Sequence, residues 1–70
     1  MDIGLAMHDI FKEYYALLSY EIKKKVLGYE PLDENVDIPK DADKTTAIKV
    51  TFNDRNWIRV YRIRNEVEWY

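Results

Sequence analysis

The apolar residues change their period once along the chain, and that change fixes the fold class. From Asp2 to Leu27 they recur at helical spacing, as Met7, Ile10, Phe11, Tyr14, Leu17, Leu18, Ile22 and Val26, with no proline and only Gly4 as a weak point. From Thr45 onward the composition turns to Thr, Ile, Val, Phe, Trp, Tyr and Arg, with apolar positions alternating as in a half-buried strand. A helix followed by a short antiparallel sheet is therefore expected: a single α+β domain over residues 1–70, in the order α-β-β-β.

The helix is expected over 2–27. Asp2 is its natural N-cap, Lys23, Lys24 and Lys25 favour its C-terminal dipole, Gly28 suits a left-handed C′ position, and Pro31 follows. At about 100° per residue the apolar side chains of such a helix cover about half its circumference, wider than one small sheet needs. The surplus, at Phe11, Tyr14, Tyr15 and Leu18, is the candidate seam of a homodimer, because tyrosine combines an apolar body with a wet tip.

Residues 29–44 carry two prolines and six acids against two bases, with no sustained period, and read as an acidic connection. Leu32, Val36 and Ile38 alternate loosely and can pin it across an edge of the core. Strands are expected at about 46–53, 56–64 and 66–70. A three-residue turn over Asp54–Asn56 sets Phe52 opposite Ile58 and Val50 opposite Val60. A turn at Arg64-Asn65 sets Val60 opposite Trp69 and Arg62 opposite Val67. One face is then apolar, built of Ile48, Val50, Phe52, Ile58, Val60, Val67 and Trp69, and is the face for the helix. The other carries Lys49, Thr51, Trp57, Arg59, Tyr61, Ile63, Glu66, Glu68 and Tyr70. Arg62 falls on the apolar side: either the register differs there, or its guanidinium reaches past the sheet edge to an acid such as Glu21 or one in the loop.

No motif for catalysis or metal binding stands out, and the chain reads as non-enzymatic, without cofactor or metal. Asp33-Glu34-Asn35-Val36-Asp37 opens like a calcium loop, but Ile38 stands where the glycine is required and Lys44 where the bidentate glutamate belongs. His8 and Asp9 are neighbours on a helix and so do not face each other. Ser19 has no base at helical spacing, and a domain this small is not expected to enclose a pocket of about 300 Å³ or more. With no cysteine, no apolar run long enough to span a bilayer and no basic-then-apolar leader, the chain is expected to be cytoplasmic.

The outer sheet face is the most suggestive feature. Lys49, Trp57, Arg59, Tyr61 and Tyr70 interleave rings and cations there, a composition shared by protein hot spots and by platforms that stack single-stranded nucleic acid. The acidic balance of the chain and the nearby Glu66 and Glu68 favour protein. The expectation is a protein-binding module acting as an inhibitor or adaptor on a partner's surface; the alternative is a nucleic-acid-binding regulator using Lys49, Trp57, Arg59 and Tyr61. The acidic connection could also imitate a nucleic-acid backbone.

Overall fold

The computed structural model describes residues 2–70. Helix α1 spans Ile3–Ala16 and a single-turn helix α2 spans Tyr20–Lys23. Strands β1 (Val26–Pro31), β2 (Ile48–Phe52), β3 (Trp57–Ile63) and β4 (Glu66–Trp69) follow. They form one antiparallel sheet in the order β1-β2-β3-β4, with α1 across one face. The α+β class is as expected; the sheet has four strands rather than three.

Asp2 caps α1 as its sequence position suggests, its Oδ1 accepting from the Gly4 N–H at 2.8 Å. The expected continuation to Leu27 does not occur. Leu17 and Leu18 N–H groups donate to Tyr14 and Tyr15 carbonyls, the tightened bonding of a closing turn. Ser19 then turns extended (φ −68°, ψ 160°), and its Oγ accepts from the Ile22 N–H to start α2. After Lys25 the chain straightens, and Val26, Leu27 and Tyr29 supply the branched and aromatic side chains that a strand favours.

Gly28 is consequently not a helix C′ residue. It sits in β1 at φ +155°, where the β1–β2 register shifts between Val26 and Gly28. A β-carbon there would meet nothing within 4 Å, so backbone conformation and not space makes glycine the fitting residue.

The β3–β4 register is the expected one, with Val60 opposite Trp69 and Arg62 opposite Val67. Arg64 and Asn65 both have positive φ (50° and 70°), as a two-residue hairpin turn matched to strand twist requires. The β2–β3 register differs from expectation by two residues: Val50 faces Ile58 and Ile48 faces Val60. The turn lies one residue earlier than expected, over Asn53–Arg55, with Phe52 N–H donating to the Asn56 carbonyl and Arg55 taking the left-handed position at φ 73°. A slip of two preserves every side chain's face, so the division into apolar and outer faces is as expected.

Ile10 and Tyr14 of α1 lie 1% and 2% exposed against Ile48, Val50 and Val60, which are fully buried. Around this centre pack Met7, Phe11, Leu18, Val26, Tyr29, Phe52, Ile58 and Val67. Arg62 reaches an acid from the apolar side, as its position demands, but the acid is Glu13 of α1 and not Glu21. Its other Nη donates to the Asn65 carbonyl at 3.1 Å.

The connection between β1 and β2 starts at Leu32, since Tyr29–Pro31 belong to the sheet. It has no regular structure but is tied along its length. Leu32 N–H donates to the Ala47 carbonyl, Asp43 N–H to the Arg62 carbonyl, and the Tyr70 hydroxyl to the Asp37 carbonyl. Leu32, Val36 and Ile38 are half-buried between exposed polar neighbours.

Two outcomes check this account in urea unfolding. Ile48→Ala is expected to cost about 2–5 kcal/mol, most of the stability of a chain this size, whereas Leu17→Ala, beyond the end of α1, stays within about 0.5 kcal/mol. Gly28→Ala is expected to destabilise by about 1 kcal/mol or more, because alanine must adopt the same positive φ.

Candidate functional site

The outer face is organised around β3. Alternation along Trp57–Ile63 sends Ile58 and Val60 to the core and sends Trp57, Arg59 and Tyr61 to the opposite side. Lys49 stands across from Arg59 on β2, and Glu68 across from Tyr61 on β4. Tyr70 lies beyond the last residue of β4, yet its backbone exchanges both hydrogen bonds with Arg59, at 3.2 and 3.0 Å, so its ring stays on this face.

Arg59 is the centre of the arrangement. Its guanidinium carbon lies 5.2 Å from the Trp57 ring centroid and 4.4 Å from that of Tyr70. Lys49 Nζ lies 4.9 Å from the same Trp57 ring and 3.8 Å from a Glu30 carboxylate oxygen. Cations against ring faces gain from the quadrupole, about 0.5–1 kcal/mol where exposed and more where desolvated. The Nε of Arg59 is buried and has no hydrogen-bond partner. Arg62 and Arg64 are placed differently, on Glu13 and Asp41 respectively.

The five expected contact residues are thus brought to one face, but they are not equivalent. Trp57 and Tyr70 are 38% and 54% exposed, whereas Tyr61 is only 4% exposed, its ring edge-on to Tyr70 at 6.1 Å. Burial, then the Glu68 carboxylate, pushes the Tyr61 phenol above its ordinary value, with Arg59 working in the opposite sense. A ring so enclosed is a pillar of the face and not a contact surface.

The four residues expected to form a seam between copies are engaged inside the fold. Tyr14 is core and meets Trp69 edge-on at 5.0 Å. Phe11 stacks on Tyr29 of β1 at 4.6 Å and touches Tyr15 at 5.7 Å, while Lys23 lies over the Tyr15 ring. Leu18 packs against the core from its rim. Three of the four lie within α1 itself, and what takes up their apolar surface is the sheet: Tyr29, unassigned to any strand in the sequence, is what covers Phe11.

His8 and Asp9 diverge. His8 Nδ1 is 3.2 Å from the Tyr29 hydroxyl, while Asp9 lines an open cleft of about 490 Å³ with Asp2, Asp43, Thr46 and Arg62. Asp43 accepts from both the Thr45 hydroxyl and the Thr45 N–H, which hold its carboxyl below the ordinary range and make it a weak base. Asp33 of the calcium-like segment uses its Oδ1 on the Asn35 N–H, a local turn. Among the described residues no helix is long and apolar enough to cross a membrane. The chain matches no protein-family model, no curated protein and no solved structure.

The Tyr61 and Tyr14 phenols both titrate above the ordinary value of 10.0, Tyr14 through burial alone. The folded state holds these protons more tightly, so the associated stability is fully present below the unfolded value of about 10 and is lost as pH rises from there through the raised pKa of the folded state. In denaturant titrations the alkaline loss of stability is expected to be shallower in Tyr61→Phe than in the parent protein.

Proposed function

We propose that this chain is a small cytoplasmic protein-binding module, acting as an inhibitor or adaptor, that engages its partner through the outer sheet face. The observation that carries the reading is the cross-strand stack of Lys49, Trp57, Arg59 and Tyr70. Tryptophan, tyrosine and arginine are the residues in which interface binding energy concentrates. Here they share a sheet, so the cost of ordering them is met during folding and not on association.

Nucleic-acid stacking is the weaker reading of the same face. A base platform needs open rings, and Tyr61 is enclosed. Binding along a phosphate backbone needs several free cations, and of the two on this face Lys49 lies beside Glu30, with Glu68 also on this face. The homodimer seam is not part of the proposal, since Tyr14 is core and Phe11, Tyr15 and Leu18 are engaged within the fold.

Capture of partners from native lysate by the tagged protein, with and without nuclease, tests the proposal. The expected result is a stoichiometric protein that survives nuclease and is lost with Trp57→Ala. Partners that all disappear with the nucleic acid would transfer the face to the alternative reading.

A further inference from the structure

The orphaned Arg59 identifies the chemistry of the partner. We infer that the outer face receives a side-chain carboxylate, an aspartate or glutamate of the bound protein, on the edge of the Arg59 guanidinium, with apolar neighbours of that residue lying on Trp57 and Tyr70. This rests on the protein-binding reading above and adds to it the class of group that is bound.

Three observations converge. First, the guanidinium lies over the rings of both Trp57 and Tyr70, so aromatic surface borders it and its N–H groups are what remain for bonding. The N–H edge of a guanidinium matches a planar carboxylate, which can take two parallel N–H bonds. Second, the bonding capacity of Arg59 is unmet. Its Nε is buried without an acceptor, and among the described residues Arg59 has no ion-pair partner, whereas Lys49 and Arg62, the other cations of the strands, each have one. Folded chains leave few buried donors in this state, because each forfeits its hydrogen bonds to water without replacement. Third, Lys49 and Arg59 both lie on the Trp57 ring, two like charges for which, among the described residues, Glu30 is the only acid in ion-pair contact. An incoming carboxylate relieves that excess.

The acids that face the site are Glu30, which lies beside Lys49, and Glu68, which stands across β4 opposite Tyr61. Both oppose a polyanion with closely repeated charges more than they oppose a single carboxylate carried between apolar residues. A phosphate backbone is therefore the poorer occupant.

The test uses the full chain labelled with 15N and three probes at low salt. One is a twelve-residue peptide alternating glutamate with phenylalanine and leucine; the second is its glutamine twin; the third is an oligothymidylate. The expected result is saturable shifting of the Trp57 indole and Arg59 Nε–H signals by the acidic peptide, with about tenfold tighter binding than the twin. Arg59→Lys, which keeps the charge but loses the fork and the Nε donor, is expected to weaken that binding about tenfold while amide dispersion reports an intact fold. Equal binding of the two peptides, no response to either, an unchanged affinity in Arg59→Lys, or a response to oligothymidylate alone would each overturn the inference. Repeating the lysate capture with Arg59→Lys separates the two claims. A partner that requires Trp57 but ignores Arg59→Lys removes the carboxylate and leaves the protein-binding reading standing, whereas a partner indifferent to Trp57 removes both.

Discussion

The contact of Ile10 and Tyr14 with Ile48, Val50 and Val60 is the constraint on which the remaining structure depends. It fixes which face of the sheet is covered by the helix, and so which face is left open. It also brings helix and sheet together within one short chain that has no disulfide to help close it. Once those five side chains meet, strand alternation sends Trp57, Arg59 and Tyr61 outward without further choice. The composition of the candidate site is in this sense a by-product of the core.

The fourth strand shows how local and tertiary preferences compete. Residues 20–25 retain some helical character, as α2 demonstrates, but a longer helix would leave the edge of β2 unpaired and Phe11 without a cover. Pairing Val26–Pro31 with β2 satisfies the backbone of both strands and delivers Tyr29 to Phe11 and His8. Packing outweighs propensity here, as is usual when the difference per residue is only a few tenths of a kcal/mol.

The sequence was readable where the signal was local and hard to imitate. The Arg64-Asn65 turn fixed one hairpin register, and alternation fixed both sheet faces. The first hairpin was harder, because Asn53, Asp54 and Asn56 are all turn formers and a three-residue loop can be placed among residues 53–56 in two ways. The end of the helix was concealed by coincidence: Lys23–Lys25, Gly28 and Pro31 form a convincing terminus eleven residues beyond the true one at Ala16. Ser19 with Glu21 in the following turn was the available signal for the break, and it was read only for chemistry. Of the candidate site, the residues of the outer face could be enumerated from alternation. The enclosure of Tyr61 and the seating of Arg59 over two rings could not, because both depend on where Tyr70 settles.

The two rims of the sheet differ from its faces in a way that bears on how the molecule meets others. Along β1 the register shift at Gly28 bends the strand, and Pro31 removes a donor from its end. At the far side, β4 is only four residues long and carries Glu66 and Glu68. Neither rim offers a long, flat row of main-chain groups to a foreign strand, which is how natural sheets discourage edge-to-edge growth. Self-templating into fibrils is thereby disfavoured, and encounters are directed to the broad side of the sheet, where side chains and not backbone decide what adheres.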